Sequence, residues 1–163
     1  MWYAIYVKSR HEKKVAELLE EKGIEAYVPL KKILKQWSDR KRWVEEPVLT
    51  CYVFVNIEGS QRESVLQTPS VVGYVRSNRK DAGISNQEIE IMKCILSEPE
   101  IEVNLETERL RVGQLCEVIS GPLIGKKVKL YELKGKKKVG VCLEELKIGL
   151  IVDIDPVYLN ILG

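Results

Sequence analysis

The chain has 163 residues, 45% apolar and 31% charged, which is typical of a folded globular protein and excludes a disordered one. Lys and Arg number 26 against 24 acidic residues, so a net charge of +2 gives no global attraction for nucleic acid. The apolar runs are shorter than the ~18 residues of a membrane span, and the N-terminus lacks a signal-peptide pattern. We expect a cytoplasmic protein with no membrane partner.

Metal and enzyme sites are not indicated by the spacing of the reactive side chains. The four cysteines form no CxxC pair, and His11 is the only histidine. No serine or cysteine is arranged beside His11 as a nucleophile, and we find no phosphate loop or paired carboxylates in a motif. We therefore expect buried thiols without disulfides, no cofactor, no metal and no enzymatic activity.

The first part of the chain predicts alternating strands and helices. Residues 2–7 are an apolar run typical of a strand buried on both faces. Capping-box spacings at Ser9/Glu12, Ser60/Glu63 and Ser85/Glu88 predict three helix starts, and Gly23 ends the first helix. The further predicted elements are a strand at 25–30, a hairpin of 33–37 and 43–48 with its turn at 38–40, and strands at 48–56 and 71–76. This order predicts an α/β sandwich close to the split βαβ pattern, with helices on one face of a mixed sheet.

The stretch 48–56, VLTCYVFVN, is predicted to be the central strand. Its alternation places Tyr52 and Phe54 on one face and Val53 and Val55 on the other. Aromatic rings at this spacing are core residues more often than binding residues, so the pattern alone favours a core position for both rings.

A change of pattern near residue 97 predicts two domains, 1–97 and 109–163. The acidic stretch 98–108 contains Pro99, shows no helical period and is interpreted as a linker. Beyond it, Gly and Pro separate short β-type runs at 115–119, 127–133, 139–143, 150–154 and 157–161, with a hairpin tip at 134–138. We predict a small antiparallel barrel and hence an α+β fold class. Gly121 and Gly125 bracket a loop in which they have a structural role, because glycine permits backbone angles that other residues resist.

The predicted hairpin is a candidate nucleic-acid site. Residues 31–42 hold six basic residues and one acidic residue, a local net charge of +5, beside Trp37 and Trp43. Basic groups such as Arg40, Lys41 and Arg42 can hold a phosphate backbone while the indoles stack on exposed bases. The alternative, which stays open, is a solvated hairpin whose tryptophans cover the sheet.

Four segments resemble, in order, the NusG family of transcription elongation factors. Three of them resemble its N-terminal (NGN) domain: Trp2-Tyr3, VLTCYVFVN and TPSVVGYVR (68–76). The fourth, VGQLCEVISGPLIGKKVKL (112–130), resembles its KOW motif, which lies in an SH3-like barrel. The chain has Thr50-Cys51 where the family usually has Pro-Gly before the aromatic. This departure and the short linker resemble a specialised, operon-directed paralogue, as in antiterminators of polysaccharide operons.

The resemblance implies that the N-terminal domain docks on the clamp helices of RNA polymerase through an apolar pocket. Tyr6, Tyr52 and Phe54 occupy the matching positions. Lys8 and Arg10 match a basic region that faces the non-template DNA strand in some paralogues, whereas residues 61–64 do not keep the His-Thr-rich contact to the polymerase gate loop. The KOW domain is implied to recruit RNA, a ribosomal protein or a termination factor.

The sequence therefore predicts a monomeric transcription elongation or antitermination factor that binds RNA polymerase. Two alternatives remain open. One is a KOW-type RNA-binding or ribosome-associated protein in which the N-terminal domain is only a scaffold, and the other is the general elongation factor of its cell.

Overall fold

The computed structural model describes residues 1–97, 103–106, 111–121, 123–133, 136–152 and 158–162. The chain divides into two compact units, 1–86 and 87–163. The division falls at the start of the helix Asn86–Ser97, whereas the sequence predicted the domain boundary at its end.

The first unit is built on an antiparallel sheet with the strand order β2-β5-β1-β6, and β9 also pairs with β1. Its strands are β1 (Trp2–Val7), β2 (Glu25–Tyr27), β3 (Leu30–Gln36), β4 (Lys41–Pro47), β5 (Tyr52–Asn56), β6 (Val71–Tyr74), β7 (Arg76–Ser77), β8 (Lys80–Asp81) and β9 (Gly83–Ile84). Its helices are α1 (Glu12–Glu21), α2 (Arg62–Leu66) and a 3-10 turn, Gly59–Gln61. Strands β3 and β4, and likewise β7 and β8, form separate two-stranded sheets.

The split βαβ arrangement follows from the pairing of β5. This strand pairs antiparallel with both β1 and β2, so β1 and β2 run in the same direction with β5 between them and α1 as their connection. The predicted split βαβ pattern is therefore confirmed. The expectation of a mixed sheet is wrong, because every hydrogen-bonded pair in the described sheet is antiparallel.

One face of the sheet carries the hydrophobic core of this unit. Val53 and Val55 of β5 are fully buried in one cluster with Ile5 of β1 and with Val15 and Leu19 of α1. The two helix residues lie four positions apart and so share a helix face. Full burial of side chains of this size contributes roughly 1.5 to 3 kcal/mol each.

The ends of the helices differ in part from the predicted caps. Helix α1 ends as predicted, because the N–H of Ile24 donates to the carbonyl of Leu19 (3.0 Å) and the N–H of Gly23 to that of Glu20 (2.9 Å), the Schellman pattern. The capping box predicted at Ser60 is wrong: the reciprocal pair is Glu58 with Gln61, because a 3-10 turn begins before α2.

The N-terminus of α1 also departs from the prediction. Its N-cap residue is His11, without a side-chain cap hydrogen bond, so the Ser9/Glu12 capping box is wrong. The carboxylate of Glu12 is buried and points to the loop before β5, where its Oε1 accepts the N–H of Cys51 at 3.0 Å. The same oxygen also accepts the N–H of Arg10 at 3.4 Å, so the shorter of its two backbone hydrogen bonds is the long-range one.

Residues 48–51 form a turn rather than the start of the predicted central strand, which begins at Tyr52. Cys51 has a φ of 69°, in the left-handed region that residues with a Cβ rarely adopt. Its N–H is held by Glu12 and its carbonyl accepts the N–H of Val7 at 2.9 Å. The turn is thus fastened to α1 on one side and to the end of β1 on the other.

The second unit contains α3 (Asn86–Ser97) and a six-stranded antiparallel sheet. Its strands are β10 (Val103–Glu106), β11 (Arg111–Val118), β12 (Lys127–Leu133), β13 (Lys136–Leu143), β14 (Ile148–Val152) and β15 (Leu159–Ile161), with a 3-10 turn Glu144–Leu146. The strand order is β10-β14-β13-β12-β11-β15, an open path in the described residues, so the expected barrel stays a prediction. Five predicted strands overlap β11 to β15.

One strand lies where the sequence predicted a linker. Leu105 of β10 pairs opposite Leu150 of β14, and Val103 opposite Val152, so backbone pairing orders this acidic segment. The rest of the predicted linker, 98–102 and 107–108, and residues 134–135 of the predicted hairpin tip lie outside the described residues.

All four cysteines are thiols rather than disulfides, and burial raises the pKa of the Cys116 thiol. Cys116 is buried, whereas the other three are half-buried, so the expectation of buried thiols holds for Cys116 alone. In the described part of the chain, no helix is long and apolar enough to cross a membrane.

Glu12→Ala should lower the free energy of unfolding by about 1 to 3 kcal/mol, because it leaves the Cys51 N–H without its buried acceptor. Glu12→Gln keeps an acceptor oxygen and should cost less. Urea denaturation measures the difference, with Glu17→Ala on the exposed face of the same helix as the control. Equal stability of Glu12→Ala and Glu17→Ala would show that this hydrogen bond does not hold the turn.

Candidate functional site

Two tyrosines from neighbouring strands form a pair at one end of the first sheet. Tyr6 on β1 lies directly opposite Tyr52 on β5, and their ring centroids are 5.2 Å apart. Tyr6 is 40% exposed and Tyr52 is half-buried. Burial, and then a hydrogen bond with the Tyr6 side chain, raise the pKa of Tyr52 to about 12. The pair, here called the tyrosine face, therefore carries a neutral Tyr52 at physiological pH.

The tyrosine face lies at the exposed end of β1 on this side of the sheet. Alternate residues of β1 point to this side, and their exposed fractions are 4% for Trp2, 0% for Ala4 and 40% for Tyr6. The other face of β1 holds the core residues Ile5 and Val7. Exposure of an aromatic ring is thus confined to the end of β1 that adjoins the Cys51 turn.

Phe54 does not lie on the surface where the sequence analysis expected it. It shares the sheet face of Tyr52, but it is 0% exposed, and its ring stacks on Tyr27 of β2 with 6.4 Å between centroids. The error arises because a period of two gives the side of a strand to which a ring points and not what covers that ring. In this structure Phe54 is a buried residue on the same sheet face as the tyrosine face.

Lys8 and Arg10 follow β1 directly, so they come next to Tyr6 in the chain. Both are exposed, and Arg10 has a left-handed φ of 67°. The N–H of Lys8 donates to the carbonyl of Ser70 at 3.0 Å, and the His11 ring forms a hydrogen bond of 2.7 Å with the Ser70 hydroxyl. This segment is thereby tied to the loop before β6, and both of its cationic side chains are exposed.

The β3–β4 hairpin agrees with its prediction and presents two different faces. Cross-strand partners lie on the same face of a ribbon, and Lys35 pairs with Arg42. Trp37 and Arg40 lie two positions nearer the tip and share that face by alternation, and the Trp37 N–H donates to the Arg40 carbonyl at 2.7 Å. The opposite face carries the pairs Leu34/Trp43 and Gln36/Lys41. Each face therefore combines one tryptophan with basic side chains.

The tryptophans of this hairpin face solvent. Trp37 is 50% exposed and Trp43 is 57% exposed, so the alternative in which both rings cover the sheet is wrong. Lys35 forms an ion pair with Glu46, whereas Arg40, Lys41 and Arg42 form none within the residues that the structure describes. Three cations and two indoles at the hairpin tip are thus available to an anionic, aromatic ligand.

The loop between β11 and β12 has the backbone that its two glycines favour. Gly121 has a φ of 88° and Gly125 a φ of 83°, and the N–H of Gly125 donates to the carbonyl of Val118 at 2.7 Å. Leu123 between them is buried and Ile124 is exposed. Pro122 lies outside the described residues. The glycines shape this loop, and neither offers a chemical group to a ligand.

No group of three or more His, Cys, Asp or Glu side chains within the described residues could hold a metal ion. The exposed aromatic and basic groups of the first unit are suited instead to contacts with macromolecules.

Comparison with known proteins identifies the family of the chain. The profile of the NusG family, described as "Transcription termination factor nusG", matches residues 1–93. The fold resembles Thermotoga maritima NusG, with a TM-score of 0.50 and 22% identity over 99% of this chain and 97% of that chain. A chain of the MjSpt4:Spt5 complex aligns with a TM-score of 0.35 and 21% identity over 100% of this chain and 99% of its own. No curated protein sequence matches the chain. Because the family profile covers more than half of its residues, the chain belongs to the NusG family of transcription factors.

Proposed function

We propose that this chain is a transcription elongation factor that binds the clamp helices of RNA polymerase through the tyrosine face. The observation that supports this most directly is the Tyr6–Tyr52 pair, in which the Tyr6 ring is exposed whereas Trp2 and Ala4 on the same side of β1 are buried. Tyrosines are enriched in protein interfaces because a rigid ring buries much apolar area while its hydroxyl remains hydrogen-bonded. Phe54 and Tyr27 stack on each other further along the same sheet face.

The proposed mechanism is non-catalytic. A factor that binds elongating polymerase more tightly than paused polymerase shifts the population toward elongation, by no more than its differential affinity for the two states. The C-terminal sheet would act as a KOW domain that recruits RNA, a ribosomal protein or a termination factor. Tethering such a partner raises its local concentration at the polymerase.

Tyr52→Ala tests the docking proposal. Truncation of a central interface aromatic costs about 2 kcal/mol or more, so we expect the affinity for core RNA polymerase to fall roughly 30-fold. The measurement is a binding titration, with circular dichroism to confirm that the variant is folded. Tyr158→Ala removes another exposed tyrosine, 44% exposed in the second unit, and serves as the matched control.

The docking proposal would be wrong if folded Tyr52→Ala bound polymerase as tightly as the Tyr158→Ala control. RNA binding by the chain without polymerase, together with no affinity for polymerase, would favour the KOW-type RNA-binding alternative.

We propose further that the hairpin tip contacts single-stranded nucleic acid at the polymerase, with the non-template DNA strand as its ligand. Arg40, Lys41 and Arg42 supply phosphate contacts, and the exposed indoles of Trp37 and Trp43 can stack only on bases that are unpaired. Lys8 and Arg10 are the second basic group of this proposed interface. A specialised antitermination role would follow if such a contact selected particular operons.

Replacing Arg40, Lys41 and Arg42 by Gln tests the hairpin. Each phosphate contact with a single strand contributes about 0.7 to the slope of log affinity against log salt concentration. The loss of three contacts should therefore reduce the magnitude of that slope by about 2. The measurement is the affinity for single-stranded DNA on a polymerase elongation complex as a function of salt concentration. The control variant replaces three lysines that are exposed elsewhere in the chain by Gln: Lys14, Lys80 and Lys147. It removes the same three positive charges. An unchanged slope in the hairpin variant would indicate a merely solvated hairpin.

A further inference from the structure

The β3–β4 hairpin is a free-standing ribbon over much of its length. Every residue from 32 to 43 is exposed, so neither face of this part of the ribbon is covered by the described part of the chain. Its base is tied to α1, because the Nζ of Lys13 donates to the carbonyl of Glu45 at 2.8 Å. At about 3.4 Å per residue, the exposed strand 32–37 spans roughly 17 Å. Both faces of the ribbon are therefore accessible to a ligand.

The two tryptophans of the ribbon lie on opposite faces. Trp43 pairs with Leu34, and the backbone bond between Trp37 and Arg40 lies three register positions nearer the tip. An odd number of positions along a ribbon reverses the face to which the side chains point. Both tryptophans are at least half exposed, so each face presents one accessible indole.

Each indole has its own cationic neighbours. On one face Arg40 lies opposite Trp37, and Arg42 follows at the next position of that face. On the other face Lys41 lies two residues before Trp43 in the same strand. An aromatic ring beside a cation is suited to a nucleotide, because the ring stacks on the base and the cation binds the phosphate. The ribbon thus offers one nucleotide site on each face rather than two sites on one surface.

A short single strand cannot use both of these sites. It runs along one face of the ribbon, and it would have to turn round the hairpin tip to reach the indole on the other face. Two strands that separate at a fork have no such constraint, because the ribbon can lie between them. Each strand then has an indole and a cationic group that face it.

We propose that the β3–β4 hairpin binds a DNA fork by lying between its two unpaired strands, with Trp37 stacked on a base of one strand and Trp43 on a base of the other. This inference rests on the nucleic-acid contact proposed above and extends it from one strand to two. Arg40 and Arg42 bind phosphates of the first strand, and Lys41 binds a phosphate of the second. The bound ribbon opposes reannealing, because the two strands cannot pair through it.

The test compares the affinity of the full chain for two DNA substrates, a fork with two unpaired arms and a duplex with one. The arms have about four nucleotides, the lower end of the size of a stacking site, so that one arm cannot serve both faces. On the fork, Trp37→Ala and Trp43→Ala should each lower the affinity about tenfold, which corresponds to about 1.4 kcal/mol and lies in the range of one lost base stack. On the one-armed duplex each should lower it only about twofold, because the remaining indole offers an alternative site.

Leu34→Ala is the matched control. It truncates an exposed side chain directly opposite Trp43 without removing an aromatic ring, and it should bind the fork like the parent protein. Trp43→Phe keeps a stacking ring and should retain most of the affinity for the fork. It keeps the test valid if Trp43→Ala disturbs the ribbon.

Equal losses on the two substrates, or a loss from only one of the two tryptophans, would overturn the two-strand arrangement while leaving a contact with single-stranded DNA in place. Parental affinity of the double variant Trp37→Ala/Trp43→Ala for both substrates would overturn that contact as well.

Discussion

The hydrogen bond from the Cys51 N–H to the buried carboxylate of Glu12 is the constraint on which the candidate site depends. It joins α1 to the turn before β5, and the Cys51 carbonyl joins the same turn to Val7 at the end of β1. These two contacts determine where β5 begins, and so bring Tyr52 opposite Tyr6. A left-handed residue with a Cβ costs roughly 1 to 2 kcal/mol, which the surrounding contacts must offset.

The left-handed turn also gives a physical meaning to the departure at Thr50-Cys51. The NusG family usually has Pro-Gly there, and glycine adopts a positive φ without steric cost. In this chain Cys51 has a φ of 69°, so the backbone conformation that suits glycine is present without a glycine. The substitution therefore places a half-buried thiol beside Tyr52, at the border of the tyrosine face, without removing the left-handed angle. A difference in partner recognition would arise from this side chain rather than from a different path of the backbone.

The sequence predicted the features of this fold that depend on local pattern. Alternation and turn chemistry predicted the β3–β4 hairpin, and Gly23 marked the end of α1. The errors arose where distant partners decided the outcome. Glu12 has capping-box spacing but binds Cys51, 39 residues away, and the acidic residues around β10 concealed a strand that is ordered by pairing with β14. Phe54 was placed on the correct side of β5, but its burial depends on Tyr27, which no periodicity reveals.

The register shift between Tyr6 and Val7 shows most clearly what pattern alone cannot predict, because it exists only after β1 and β6 are paired. The tyrosine face is the proposed contact with polymerase. Amide hydrogen exchange of the full chain, alone and with core RNA polymerase free of nucleic acid, tests that contact most directly. The account predicts slower exchange on binding in residues 49–53 and 71–74. Unchanged exchange in both segments, with protection confined to the second unit, would contradict it.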